Sequence, residues 1–92
     1  MSNRLPKGMC IVPTNEITIT RLYDTNIVMH NHVNNTITFN SNNWRTKHTK
    51  KCTNLYINKL GLYLYQKNYT WYVVDNKEVI REYKDGLELQ IA

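Results

Sequence analysis

Basic, hydroxyl and aromatic side chains crowd into one short segment, residues 40–51 of the 92-residue chain. Lysines in the first turn of a helix oppose the helix dipole, so their presence at the start of a predicted helix favours a bound anion. Free backbone N–H groups and threonine hydroxyls also suit a phosphate or a carboxylate there. The segment therefore predicts an anion or nucleic-acid site formed by Trp44, Arg45, Thr46, Lys47, Thr49, Lys50 and Lys51. In the alternative interpretation, Trp44 belongs to the core and the lysines extend into water.

Histidine and cysteine residues supply a second set of reactive groups. His30 and His32 would share one face of a strand, while His48 and Cys52 stand four residues apart on the helix. These four residues could hold a zinc ion in tetrahedral geometry, but no Cys-x-x-Cys or His-Glu-x-x-His pattern supports such a site. His48 and Cys52 also have the spacing of a base and a nucleophile, which neighbouring residues on a helix often share by chance.

The chain lacks the other common catalytic signatures. It has no pair of carboxylates at suitable spacing, no Gly-rich phosphate loop and no Gly-x-Ser-x-Gly elbow. We therefore expect a protein that binds its target without catalysis and without a cofactor.

Positive charge is concentrated in the first two thirds of the chain. The formal net charge is +5, and no carboxylate occurs between Asp24 and Asp75. Such a field attracts nucleic acid, a phosphorylated ligand or an acidic protein surface, and it excludes a mimic of DNA. The simpler alternative is a basic domain whose charge keeps it dispersed in solution.

Aromatic residues accumulate in the second half, where the chain holds most of its seven tyrosines. Apolar residues occupy both faces of the strands predicted there, and one helix can cover only one face of a sheet. The alternation therefore predicts an exposed aromatic interface at Tyr63, Tyr65 and Trp71, for a partner protein, for stacked bases or for a homodimer. The alternative is that the N-terminal hairpin covers this face.

The periodicity of apolar residues predicts an α+β fold in a single domain over residues 1–92, with one helix packed on an antiparallel sheet. Residues 1–15 are predicted to be an irregular arm because Pro6, Gly8 and Pro13 interrupt any pattern. The expected strands and helix are Glu16–Tyr23, a hairpin of Thr25–Val33 and Thr36–Asn40 around Asn34 and Asn35, the helix Thr49–Leu60, and a C-terminal meander of Leu62–Gln66, Thr70–Asp75, Glu78–Tyr83 and Leu87–Ile91.

Periodicity also predicts which side chains face the core. In the hairpin, the predicted apolar row is Ile27, Met29 and Val33, with Ile37 and Phe39 opposite. In the helix, the predicted stripe is Cys52, Leu55, Tyr56 and Leu60. Thr46 or Thr49 can cap the helix start, and Gly61 occupies the position of a left-handed C-cap.

The 40–51 segment resembles a motif of small, mostly uncharacterised proteins of tailed bacteriophages, Asn-Ser-Gly-Gly-Trp-x-Thr-x-Thr-Thr-Lys-x-Arg-x-Asn followed by a Trp-Tyr-Val strand. The matching residues are Asn40, Ser41, Trp44, Thr46, Thr49, Lys50, Asn54 and Trp71-Tyr72-Val73. The chain departs from the motif at Asn42-Asn43, at His48 and at Cys52. The resemblance implies a phage protein and carries no established activity.

From the resemblance and the small size, we expect a phage accessory protein in the cytoplasm of the infected host cell. Its leading expected role is to inhibit a host defence or nucleic-acid-handling component, so that its partner is a host protein or ribonucleoprotein. The alternatives are direct nucleic-acid binding and binding of a phosphorylated small ligand. Cys10 and Cys52 are expected to be free thiols, since no apolar leader precedes them and no membrane segment is present.

Overall fold

The computed structural model describes residues 5–42 and 46–91. Within these ranges the backbone forms one α-helix, one 3-10 helix and eight β-strands, which agrees with the predicted α+β class. In chain order, the elements are β1 (Met9–Pro13), β2 (Ile17–Leu22), β3 (Thr25–Asn31), β4 (Thr36–Phe39), α1 (Lys47–Ile57), the 3-10 helix (Asn58–Leu60), β5 (Tyr63–Lys67), β6 (Thr70–Val74), β7 (Ile80–Glu82) and β8 (Glu88–Gln90). Neither helix in these ranges has the length and apolar character needed to cross a membrane.

The strands form two antiparallel sheets instead of the single sheet that the sequence predicts. The larger sheet has the order β1-β2-β3-β4-β8 and the smaller one has the order β5-β6-β7. The last strand therefore leaves the predicted C-terminal meander and pairs with β4, where Leu89 lies opposite Ile37. Alternation of apolar side chains identifies a strand but not its neighbour, which is why the prediction placed β8 in the wrong sheet.

The N-terminal region contains a strand where the sequence predicts an irregular arm over residues 1–15. β1 pairs with β2 along its whole length, with Ile11 opposite Thr20. Gly8 precedes β1 in a left-handed conformation with φ of 82°, and its carbonyl accepts a hydrogen bond from the Tyr23 N–H at 2.7 Å. Pro13 ends β1 at the edge of the sheet, where a residue without an N–H donor is tolerated. Glycine and proline thus mark the two ends of a strand.

A bulge changes which side chains of β3 face the core. The register between β2 and β3 shifts between Thr20 and Arg21, so Ile27 has no cross-strand partner. Ile27 and Val28 are consecutive and both are fully buried, although strict alternation would expose one of them.

The predicted hairpin row is consequently wrong beyond Ile27. Met29 is only half-buried, and Val33 is exposed in the turn. Among the residues of β3 that pair with β4, the buried ones are Val28, opposite Phe39, and His30, opposite Ile37. The turn itself lies where the Asn34-Asn35 pair predicts it, and Asn35 has the expected positive φ of 58°.

The helix begins after Thr46, whose side chain accepts a hydrogen bond from the Thr49 N–H. The 3-10 helix extends it to Gly61, which has the predicted left-handed conformation with φ of 84°. The predicted apolar stripe is wrong at Leu55, which is exposed. The buried face consists of Thr49, Cys52, Thr53, Tyr56 and Ile57. Thr53 tolerates burial because its hydroxyl donates to the Thr49 carbonyl at 2.9 Å.

Helix α1 lies along β5, the edge strand of the smaller sheet, and Asn54 joins the two. The Asn54 side-chain amide donates to the Leu64 carbonyl at 2.9 Å, and its oxygen accepts from the Leu64 N–H at 2.7 Å. One side chain thus completes the backbone hydrogen bonds of Leu64 as a neighbouring strand would. This pairing protects the β5 edge from association with another chain.

Replacement of Asn54 by alanine should destabilise the protein, because it leaves a half-buried backbone N–H and carbonyl without partners. We expect a loss of about 1–3 kcal/mol in the free energy of unfolding. In a domain of this size, each kcal/mol lowers the melting temperature by about 4–8 °C. Thermal unfolding followed by circular dichroism measures the effect.

Asn58→Ala is the matched control, since Asn58 is an exposed asparagine one turn further along. Its melting temperature should stay close to that of the wild type. Equal melting temperatures for the two variants would contradict the role of Asn54 at the β5 edge.

Candidate binding surfaces

The threonines predicted to orient an anion hold the start of α1. The Thr46 hydroxyl accepts from the Thr49 N–H at 3.1 Å, and the two hydroxyls lie 3.1 Å apart. Thr49 is buried and its hydroxyl pairs with that of Thr46, although both threonines line a cleft beside the helix start. Their role in orienting an anion stays a prediction. Trp44 and Arg45 lie outside the described residues.

Three lysines of the predicted site form a basic surface on α1. Lys47 and Lys51 are exposed, whereas Lys50 is half-buried and its Nζ donates to Gln66 Oε1 at 3.4 Å. The first turn of α1 has no acidic residue. In the described ranges, the two ion pairs are Arg21–Asp24 and Arg81–Asp75, and neither includes these lysines. Lys47, Lys50 and Lys51, which we call the lysine surface, thus keep their charges free of carboxylate partners within these ranges.

A cleft of about 490 Å³ opens beside the start of α1, and Thr46, His48 and Thr49 are among its lining residues. Leu22, Tyr23 and Ile27 contribute apolar walls, and the Asp24 carboxylate lies among the lining residues. Hydrocarbon walls and a negative charge both disfavour phosphate. An anion attracted by the lysines would therefore bind on their exposed side.

One residue of the predicted aromatic interface, Trp71, does not lie on the outer face of the smaller sheet. Trp71 is only 3% exposed and packs edge-to-face against Tyr83, with 5.3 Å between the ring centroids. Trp71 therefore belongs to the core, and its prediction as an interface residue is wrong. Successive residues of a strand point to opposite faces, so Tyr72 occupies the outer face.

Three tyrosines cover the outer face of β5 and β6, and we call them the tyrosine surface. Tyr63 is 50% exposed, and its ring centroid lies 5.9 Å from that of Tyr65. Tyr65 lies opposite Tyr72, and their rings stack at 5.4 Å with an angle of 27° between the planes. The register Leu64↔Val73 sets which face each residue occupies, so knowledge of the hairpin turn would have assigned Tyr72 correctly.

The turn between β5 and β6 presents a further tyrosine that sequence analysis missed. Lys67 pairs with Thr70, which leaves a two-residue turn of Asn68 and Tyr69. Both turn residues have positive φ, 53° and 67°, as a type I′ turn requires. Tyr69 is 95% exposed. In the sequence, the Asn68-Tyr69 pair only weakly indicates a type I′ turn, because glycine is the usual second residue of this turn.

The four zinc candidates lie in two separate places. His30 and His32 have ring centroids 4.4 Å apart, beside the helix residue Tyr56, whose hydroxyl lies 2.8 Å from His30 Nδ1. His48 and Cys52 lie nearer the start of the same helix. No three histidine, cysteine, aspartate or glutamate residues of the described ranges form a group that could hold a metal ion. The predicted tetrahedral set is therefore not assembled.

The geometry also argues against a His48–Cys52 nucleophile pair. His48 Nε2 donates to the Lys7 carbonyl at 2.7 Å and lies 3.9 Å from Cys52 Sγ. A nitrogen that carries a proton cannot take one from the thiol. Burial raises the pKa of the Cys52 thiol, although Lys51 acts in the opposite direction. The thiol is fully buried and stays protonated at neutral pH.

His30 makes the core sensitive to acid. Burial is the largest cause that lowers the pKa of His30 from its usual 6.5, and the neighbouring His32 acts in the same direction, while Asn35 opposes both. Its Nε2 is buried without a hydrogen-bond partner in the described ranges. The neutral form of His30 is therefore favoured in the folded protein.

Stability should fall as the pH drops below about 6.5, because the unfolded chain then binds a proton at His30 before the folded protein does. Above that pH the effect vanishes, since both states are neutral. Urea unfolding between about pH 5 and pH 8 measures the dependence. The His30→Gln variant should show a smaller slope, and an unchanged slope would contradict the role of His30. Asp75 does not interfere, because the Arg81 hydrogen bond lowers the pKa of its carboxyl below 3.8.

Inorganic phosphate should raise the melting temperature of the protein by mass action if the lysine surface binds an anion. The double variant Lys50→Ala, Lys51→Ala should lose this response and retain the wild-type circular dichroism spectrum. Lys59→Ala is the matched control, since this lysine lies at the far end of the helix. An equal phosphate response in all three proteins would contradict the site.

Comparison of the chain with protein-family models, curated proteins and solved structures finds no match. The phage origin therefore stays a prediction that depends on the motif, of which Ser41, Thr46 and Asn54 have structural roles here. The Ser41 N–H and hydroxyl both donate to Asp85 Oδ1, at 2.9 and 2.7 Å. Thr46 caps α1 and Asn54 joins it to β5. In this chain, Thr46 and Asn54 of the motif therefore help to position the helix.

Proposed function

We propose that this protein is a small phage accessory protein that acts by binding a component of the infected host cell. The component would belong to a host defence system or to the nucleic-acid-handling machinery. Binding of the phage protein would inhibit this component. The observation that carries the proposal is the tyrosine surface, in which Tyr63 is exposed and Tyr65 and Tyr72 are half-buried. It lies beside a helix whose lysines have no carboxylate partner in the described ranges.

Aromatic residues on a rigid sheet are well suited to a protein interface. Tyrosine is enriched among the residues that dominate binding energy, because its ring loses little conformational freedom when a partner covers it. Ile80 extends the apolar area, since it is 58% exposed and lies opposite Val74, on the face of β6 that Tyr72 occupies. An apolar centre with lysines at its margin fits a host surface with an apolar patch and acidic surroundings.

Binding is favoured over catalysis by the state of the reactive groups. The Cys52 thiol is buried, His48 Nε2 donates to a backbone carbonyl, and His30 lies in the core against Tyr56. A catalytic group needs access to its substrate and a free reactive atom. Burial denies access to the Cys52 thiol and to His30, and the Lys7 carbonyl occupies His48 Nε2.

Direct nucleic-acid binding is the second candidate function. The contact between Lys50 and Gln66 joins the lysine surface to β5, the strand that carries Tyr63 and Tyr65. Gln66 lies on the opposite face of β5 from Tyr63 and Tyr65, so a nucleic acid bound to the tyrosines would reach the lysines around the β5 edge. A phosphorylated small ligand would use the lysines alone, and a homodimer would use the tyrosines alone.

Affinity purification from host lysate, followed by mass spectrometry, tests the proposed function. The wild-type protein should enrich a defined host component, and the double variant Tyr63→Ser, Tyr65→Ser should lose it. Loss of two interface anchors weakens binding by about 2 kcal/mol or more, which is at least about 30-fold in affinity. Tyr23→Ser is the control, because Tyr23 is an exposed tyrosine of the other sheet.

Equal recovery of the component by the tyrosine variant would contradict the interface. Light scattering of the same proteins distinguishes a homodimer, since a second copy on the tyrosine surface would double the mass of the wild type alone. Failure of the wild-type protein to enrich any component above a purification without the protein would overturn the proposed function.

A further inference from the structure

We infer that the tip of the β5–β6 hairpin is a binding site for single-stranded nucleic acid, with Tyr69 as the residue on which a base stacks. The inference deepens the second candidate function and rests on it. The site extends from Tyr69 along β5 to Lys67 and the stacked pair Tyr65–Tyr72.

The conformation of Tyr69 shows that its side chain does not serve the fold. A tyrosine with φ of 67° is strained, and glycine would adopt the same backbone conformation without strain. The side chain is 95% exposed, so no burial within the protein compensates for the strain. Strained residues of this kind occur preferentially where a side chain must meet a ligand. A two-residue turn also holds the side chain in a defined direction, which a longer loop would not do.

The aromatic rings continue from the tip onto the sheet. Lys67 and Tyr65 occupy the same face of β5, because they are two residues apart. Tyr72 lies opposite Tyr65 and stacks on it. A strand of bases that begins on Tyr69 thus meets further aromatic rings along the hairpin, as in proteins that bind single strands by stacking.

Charge favours a polyanion at this end of the molecule. Residues 63–74 contain no acidic residue, and Lys67 lies between Tyr69 and the tyrosine surface. Lys50 adds a second positive charge at the β5 edge, where it contacts Gln66. Glu82 lies opposite Tyr72 on β7 and repels a phosphate, so the backbone of the bound strand would follow the β5 side.

These features favour a single-stranded nucleic acid over a duplex or an acidic protein. Base faces are open to a tyrosine ring in a single strand, whereas a duplex hides them within its stack. An acidic protein would be attracted by the lysines, but its carboxylates would not stack on the exposed ring of Tyr69. Gln66 and Asn68 add neutral hydrogen-bonding groups, which suit base edges and sugars.

Fluorescence anisotropy with labelled oligo(dT), oligo(dA) and oligo(U) of about 12 nucleotides tests the inference at about 50 mM salt. The wild-type protein should bind these single strands more tightly than a duplex of the same length. Tyr69→Gly should lower the affinity roughly 5- to 150-fold, the loss expected for one stacked base. The same variant should have an equal or higher melting temperature, because it removes backbone strain. Lys67→Gln should reduce the salt dependence by about one phosphate contact.

Tyr23→Gly is the matched control, since Tyr23 is also a left-handed tyrosine in a tight turn, 59% exposed, in the other sheet. Its affinity for the oligonucleotides should equal that of the wild type. Unchanged affinity of Tyr69→Gly would overturn the hairpin tip as the site, even if the protein binds nucleic acid elsewhere. Absence of binding to every oligonucleotide would overturn the inference, whereas capture of a host protein in the purification experiment would still uphold the proposed function.

Discussion

The pairing of the Asn54 side chain with the backbone of Leu64 fixes helix α1 against β5, and the proposed binding surface depends on this contact. Without it, the backbone N–H and carbonyl of Leu64 would lack partners on the side of β5 that faces the helix. Two hydrogen bonds to one backbone unit leave little freedom for rotation or sliding of the helix. The placement of Lys50 beside Gln66 follows from this constraint, because Lys50 precedes Asn54 by one helical turn. The proposed binding surface is therefore a consequence of a structural contact.

The interface between the helix and the larger sheet is unusually polar for a core. Thr18, Thr20 and His30 occupy the buried face of the sheet, and His30 meets Tyr56 of the helix. Buried polar groups are stable only when they are hydrogen-bonded, and two of these atoms, Thr20 Oγ1 and His30 Nε2, lack a partner in the described ranges. Such groups lower stability but favour one arrangement of helix and sheet over others. The acid sensitivity of His30 arises from the same burial.

The two ends of the smaller sheet differ in what their turns do. At the β6–β7 connection, the Asp75 carboxylate accepts from the Lys77 and Val79 N–H groups and from Arg81, so the turn is stabilised from within. Both connections hold a residue with positive φ, Glu78 at 64° and Tyr69 at 67°, so the β5–β6 connection differs in its tyrosine ring, which is 95% exposed. A turn that serves only to connect strands resembles the first case. The contrast within one sheet is the structural basis for assigning a binding role to the second.

Features that depend on adjacent residues along the chain could be predicted from the sequence alone. These were the α+β class, the Asn34-Asn35 turn, the Thr46 cap and the left-handed Gly61, each of which follows from local backbone chemistry. Only the tertiary structure decided which strands are neighbours and which faces are buried. The position of β8, the burial of Trp71 and the exposure of Leu55 depend on pairings between distant segments. A one-residue change of register moves every side chain of a strand to the opposite face, and alternation in the sequence is the same in both registers.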